Sequence, residues 1–82
     1  MKLIVVTKPD CPYCEALRQE LSHFRPRPGV ELAFLRDGRG EARQLDYYYL
    51  PAVFWKGERI LHGKADRPLE EVFRGALCRM DE

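Results

Sequence analysis

The residues of this chain best suited to chemistry are two cysteines three positions apart, in Cys11-Pro12-Tyr13-Cys14. A Cys-x-x-Cys spacing serves either a reversible dithiol–disulfide couple or half of a zinc site. The neighbouring residues separate the two. Pro12 fits the first position of a helix, where its missing N–H costs nothing, so Cys11 becomes the N-cap. An N-cap side chain accepts a hydrogen bond from the second or third helical N–H, and the third belongs to Cys14. A thiolate at that place meets free N–H groups and the positive end of the helix. Such surroundings lower a thiol pKa from about 8.5 to between roughly 3.5 and 7.5. Positions i and i+3 are neighbours on a helix, so Cys14 reaches the Cys11 sulfur. Cys14 also lies on an apolar stripe with Leu17, Leu21 and Phe24, which predicts that it is the more buried of the two. The asymmetry casts Cys11 as the attacking sulfur and Cys14 as the resolving one. Zinc lacks partners, because His23, His62 and Cys78 form no second paired motif.

The elements that must hold this pair follow from the apolar pattern. Leu3 to Val6 is continuously apolar and rich in branched side chains, the mark of a strand covered on both faces; the expected strand is 2–7. Lys8-Pro9-Asp10 breaks it, and a helix is expected over 12–24. Arg25-Pro26-Arg27-Pro28-Gly29 forms a stiff connector to a second strand over 30–35, parallel to the first because the crossover is long. Asp37 to Gly40 reads as a turn and 41–48 as a short helix. Residues 52–55 and 59–61 form a hairpin around Lys56-Gly57-Glu58. A last helix opens at Asp66 or Arg67, with Pro68 in its first turn. Its stripe is Leu69, Val72, Phe73, Ala76, Leu77 and Met80. Cys78 falls opposite that stripe, which predicts an exposed thiol far from the pair. The expected architecture is α/β: helices covering a four-stranded mixed sheet in one domain, 1–82.

Composition narrows the function classes. Fourteen Lys and Arg against thirteen Asp and Glu leave a formal charge of +1, which lacks the basic excess of a nucleic-acid binder. An apolar fraction of 45% in 82 residues supports one core and one domain. Leu3 to Val6 falls short of both a membrane span and a signal-peptide core. Three cysteines are too few, and odd in number, for a secreted disulfide scaffold. The expected compartment is the cytoplasm, and the expected state a monomer.

At Cys11-Pro12-Tyr13-Cys14 the chain resembles a glutaredoxin, within the thioredoxin-fold family. Cys-Pro-Tyr-Cys is the tetrapeptide typical of dithiol glutaredoxins, placed after the first strand as it is here. The resemblance spans nearly the whole chain in length and element order. It implies a thioredoxin-like sheet whose first two strands are parallel and whose last two run antiparallel to them. It implies that Lys8 supports the thiolate and meets a glutathione carboxylate, and that Tyr13 flanks the groove. Pro51 matches a cis-proline that presents the Leu50 backbone to a bound peptide or to glutathione. Gly63 and Asp66 fit a segment binding the γ-glutamyl end of glutathione, with a backbone N–H of Lys64 or Ala65 meeting its carboxylate. His62 stands where that segment has its first glycine. Leu50 and Tyr49 replace the usual Val and Thr before the cis-proline.

The expected activity is therefore disulfide reduction, with glutathione as co-substrate and no bound metal or organic cofactor. Its partners would be disulfide-containing or glutathionylated proteins. Two alternatives stand beside it: a thioredoxin-like reductant recycled by a flavoprotein reductase, and a metal- or iron–sulfur-cluster-carrying module. Tyr47-Tyr48-Tyr49 is read first as packing, with a partner-binding apron as the alternative. His23 is read as supporting a helix end and Trp55 as covering the sheet.

Overall fold

The computed structural model describes residues 1–65 and 67–80. The chain opens with β1 (Lys2–Thr7) and α1 (Pro12–Leu21), followed by a short β2 (Phe24–Pro26) and by β3 (Glu31–Arg36). A 3₁₀ helix (Gly40–Gln44) leads to the hairpin of β4 (Ala52–Trp55) and β5 (Glu58–His62). One turn of α2 (Leu69–Val72) and β6 (Leu77–Arg79) complete the described chain. The protein is a small α/β structure built on a four-stranded mixed sheet of order β3-β1-β4-β5. Among the described residues, no helix is long and apolar enough to cross a membrane.

β1 pairs in parallel with β3 from Lys2↔Glu31 to Thr7↔Arg36 and antiparallel with β4 from Leu3↔Trp55 to Val6↔Ala52. Since β4 and β5 are also antiparallel, β5 runs in the direction of β1. The expectation that both hairpin strands oppose the first two therefore holds for β4 alone, because a hairpin reverses the chain once. Lys56 and Gly57 both take positive φ, at 52° and 79°, the geometry of a two-residue turn whose twist matches its strands.

The alternation of side chains along β1 and β4 divides the core in two. Leu3, Val5 and Val53 join Leu17, Leu21, Phe24, Leu61, Phe73 and Leu77 on the α1 side. Val6, Ala52 and Phe54 join Ala42 on the other side, with Ile4, Leu35, Leu45, Tyr47 and Leu50 packed against them. A strand buried on both faces needs apolar residues at every position, which is why Leu3 to Val6 is unbroken.

Three expected elements differ. α1 ends at Leu21 rather than Phe24: Ser22 N–H and His23 N–H turn back onto the Gln19 and Glu20 carbonyls, and two prolines beyond forbid more helix. Phe24 is buried as foreseen, but from β2, where it pairs with Arg79. The helix expected over 41–48 is the shorter 3₁₀ helix. The last helix begins only at Leu69, with Pro68 at its cap, and stops at Val72. Phe73, Ala76 and Leu77 are buried as their spacing predicts, yet a turn and β6 deliver them. Gly75 weakens any helix there by about 1 kcal/mol relative to Ala, and a Cβ at Gly75 would lie 3.2 Å from Trp55 Nε1. The chain instead pairs β6 with β2 in a separate two-stranded sheet. Cys78 sits in that sheet opposite Arg25, half-buried rather than exposed.

Candidate redox site

The site grows from the junction of β1 and α1. Asp10 takes φ of +58°, a left-handed turn that Asp tolerates better than most residues, and it swings the chain from strand to helix. Cys11 then takes the extended backbone of an N-cap, and its Sγ accepts the Cys14 N–H at 3.2 Å. The Glu15 N–H closes the first helical turn onto the Cys11 carbonyl at 3.0 Å. Cys11 and Cys14, with Cα atoms 5.2 Å apart, are joined as a disulfide. Cys14 is 3% exposed, whereas Cys11 is half-buried and reaches the surface. The N-cap placement and the asymmetric burial thus agree with the sequence expectation.

Cys11 opens onto a groove of about 760 Å³ that Lys8, Arg18, Arg36 and Phe34 share with Asp10 and Glu15. Lys8, one of the expected glutathione contacts, lines this groove. Arg18, Phe34 and Arg36 were not foreseen. Arg18 lies four residues after Cys14, so helical spacing could have placed it on the same face. Its guanidinium stacks 5.1 Å over Phe34 and donates to Thr7 Oγ1 at 3.4 Å. Phe34 and Arg36 arrive through the β1–β3 register, opposite Val5 and Thr7, which no local pattern encodes.

A second cavity, of about 230 Å³, gathers Tyr13, Pro51, Gly63, Lys64 and Ala65 between α1 and β5, with Leu17, Leu61 and Leu69 among its walls. Five residues proposed from the resemblance thus lie around one space. Leu50 does not line it; it is half-buried against the Val6 and Phe54 side of the core. Asp66 lies outside the described residues. The Leu50–Pro51 peptide is cis, and Pro51 is fully buried while its carbonyl accepts Gly63 N–H at 2.8 Å.

Gly63 is required by its geometry. Its φ is +83°, and a Cβ there would lie 3.1 Å from the Tyr49 Cβ. Gly63→Ala is expected to destabilise the protein by at least about 1–2 kcal/mol, the cost of a left-handed L-residue alone. Urea unfolding of the two proteins measures this; equal midpoints would show that the segment relaxes freely.

The tyrosine run divides. Tyr47 turns inward: it meets Phe54 edge-on with centroids 6.5 Å apart, and its hydroxyl donates to Asp37. Burial, and then that bond to Asp37, raise its pKa above the ordinary tyrosine value. Tyr48 and Tyr49 are 84% and 67% exposed, and both rings lie against His62, with centroids at 6.4 and 5.2 Å. His62 was singled out only as a replacement, yet its Nε2 accepts the N–H groups of both Tyr48 and Tyr49, at 2.7 and 2.9 Å. Among the described residues, no group of three or more His, Cys, Asp or Glu side chains is placed to hold a metal ion. Set against protein-family models, curated proteins and solved structures, the chain matches none of them.

Proposed function

We propose that the protein is a thiol–disulfide oxidoreductase of glutaredoxin type with a thioredoxin-like fold, working through Cys11 and Cys14 in the cytoplasm. The observation that carries this reading is the Cys11 sulfur at the N-cap of α1, accepting the Cys14 N–H with the Cys14 sulfur bonded to it. In the reduced protein the same N–H groups and helix end favour the Cys11 thiolate. That thiolate attacks one sulfur of a protein disulfide or glutathione mixed disulfide. A Cys11–substrate S–S bond forms as the substrate S–S bond breaks, and the departing thiolate takes a proton from water. Cys14 then attacks Cys11 Sγ, releasing the second substrate thiol and leaving the observed disulfide. Two glutathiones return two electrons and become glutathione disulfide.

A second reading, a thioredoxin-like reductant recycled by a flavoprotein reductase, is favoured by one observation. The cavity beside Pro51 has Ala16, Leu17, Leu61 and Leu69 in its wall and only Glu20 and Lys64 as charged members, which suits an apolar side chain of a protein partner better than a charged tripeptide. Turnover with glutathione and its reductase as the sole electron source separates the two readings.

The test of the pair is Cys14→Ser. Glutathione-dependent release of a small mixed disulfide should stay within about tenfold of the native rate, because a second glutathione replaces Cys14. Reduction of a protein disulfide without glutathione should fall by about a hundredfold or more, because nothing resolves the mixed disulfide. Loss of both activities would remove Cys14 from the resolving role.

A further inference from the structure

His62 is the last residue of β5 and stands beside the segment that runs into Pro51. Three links tie β5 and the Gly63 that follows it to that segment. Arg59 donates to the Asp46 carbonyl at 2.8 Å. His62 Nε2 accepts from Tyr48 and Tyr49. Gly63 N–H donates to the Pro51 carbonyl. The first and third tie a permanent donor to a carbonyl and persist at any pH of interest. The middle one needs a lone pair on an imidazole nitrogen. Only the neutral ring with its proton on Nδ1 has that lone pair; the protonated ring would point a third N–H at two N–H donors.

We propose that His62 is a positioning residue that works as a proton-operated latch on the Tyr48–Leu50 segment: neutral, it holds both amides and keeps the docking edge before Pro51 in place; protonated, it lets the segment go. The docking consequence rests on the oxidoreductase reading, whereas the latch itself rests on the two hydrogen bonds.

The groups around the ring set the direction of the response. Burial comes first and the Arg59 charge on its own strand second, and both push the imidazole below its ordinary value of about 6.5, against a smaller opposing pull from Asp46. The Tyr48 and Tyr49 rings flank it, and its cross-strand partner on β4 is Ala52. The folded protein therefore favours the neutral ring. The latch is closed at and above the ordinary imidazole value and opens as pH falls below it. Its contribution to stability has the same sign: fully present above about 6.5 and lost on acidification.

His62→Gln separates a latch from a merely structural histidine. Gln places a carbonyl oxygen near the position of Nε2; it accepts both amides and does not titrate. In the native protein, nitrogen chemical shifts should show an unprotonated Nε2 in the neutral ring, and the Tyr48 and Tyr49 amide signals should titrate together with the imidazole. In His62→Gln both amides should stay in their high-pH positions throughout. Between about pH 7.5 and about pH 5.5 the KM for a disulfide substrate should rise several-fold in the native protein, and by less than about twofold in His62→Gln. Amides that titrate alike in both proteins, a neutral ring protonated on Nε2, or equal KM rises would each overturn the proposal. A native protein that turns over no disulfide would instead sink the oxidoreductase reading, with the amide titration still deciding the latch.

Discussion

Cys11→Ser should lose disulfide reductase activity by roughly a thousandfold or more while remaining folded in reducing buffer. The prediction is sharp because, on the oxidoreductase reading, residue 11 has two tasks and the substitution separates them. As an N-cap, Ser is a strongly preferred residue, and its hydroxyl accepts the third helical N–H as the sulfur does. α1 should therefore start at the same residue, and thermal melting under reducing conditions should stay level or rise. As a nucleophile, Ser fails. A helix end that brings a thiol near neutrality cannot ionise a hydroxyl at the same pH, and an S–S bond is opened by a thiolate. Cys14, 3% exposed beneath the helix start, is screened from a bulky substrate, and Cys78 lies in the separate β2–β6 sheet. Turnover of a glutathione mixed disulfide and reduction of a protein disulfide, followed beside the reduced-state melting curve, test both halves. Activity above about one per cent of native in a pure, folded variant would move the nucleophile elsewhere.

The same separation explains what could be read before the fold was known. The start of α1 was legible because every feature that makes it is local: an unbroken apolar strand, a turn, a cysteine cap and Pro12 at the first helical position. The hairpin was legible for the same reason, from Lys56-Gly57 between two apolar runs. Periodicity over 69–77 was a correct report of burial and a misleading report of conformation, whereas Met80, expected on the same stripe, is 54% exposed because the helix that would have carried it inward stops at Val72. Val72, Phe73, Ala76 and Leu77 all face the core, but β6 could form only because β2, some fifty residues earlier, offered Phe24 to Pro26 as a partner. Strands of three residues, one containing a proline, leave almost no trace in local pattern. The site divides the same way. Cys11 and Cys14 were found from spacing, and Tyr13, Pro51, Gly63, Lys64 and Ala65 do surround one cavity. Arg18 was within reach of the helical spacing from Cys14, but Phe34 and Arg36 depend on strand register and the bonds of His62 on partners thirteen and fourteen residues away, where no sequence period points.

The remaining prediction couples the core to the sulfur. Phe73 is 1% exposed and meets Phe24 edge-on, with ring centroids 6.2 Å apart. It belongs to the cluster that also holds Leu17 and Leu21, the buried face of α1. Removing such a ring costs about 3–5 kcal/mol, and a domain of this size draws only about 3–5 kcal/mol of net stability from its core. Phe73→Ala should therefore be largely unfolded at 25 °C once the disulfide is reduced, whereas Phe73→Leu, which leaves a smaller void, should lose about 1–1.5 kcal/mol and stay native. The consequence reaches the site because α1 has only ten residues. A helix that short is marginal by itself and stands because Cys14, Leu17 and Leu21 pack inward. Its N–H groups and its dipole exist at Cys11 only while that packing lasts. In reduced Phe73→Ala, Cys14 should become as open to alkylation as any free thiol, and the Cys11 thiolate should lose its preference near neutrality. In Phe73→Leu both should keep their native behaviour. Alkylation rates at each sulfur across pH, read beside urea unfolding, test the coupling. A variant that unfolds yet keeps a fast, acid-stable reaction at Cys11 would mean that the helix terminus is not what ionises it.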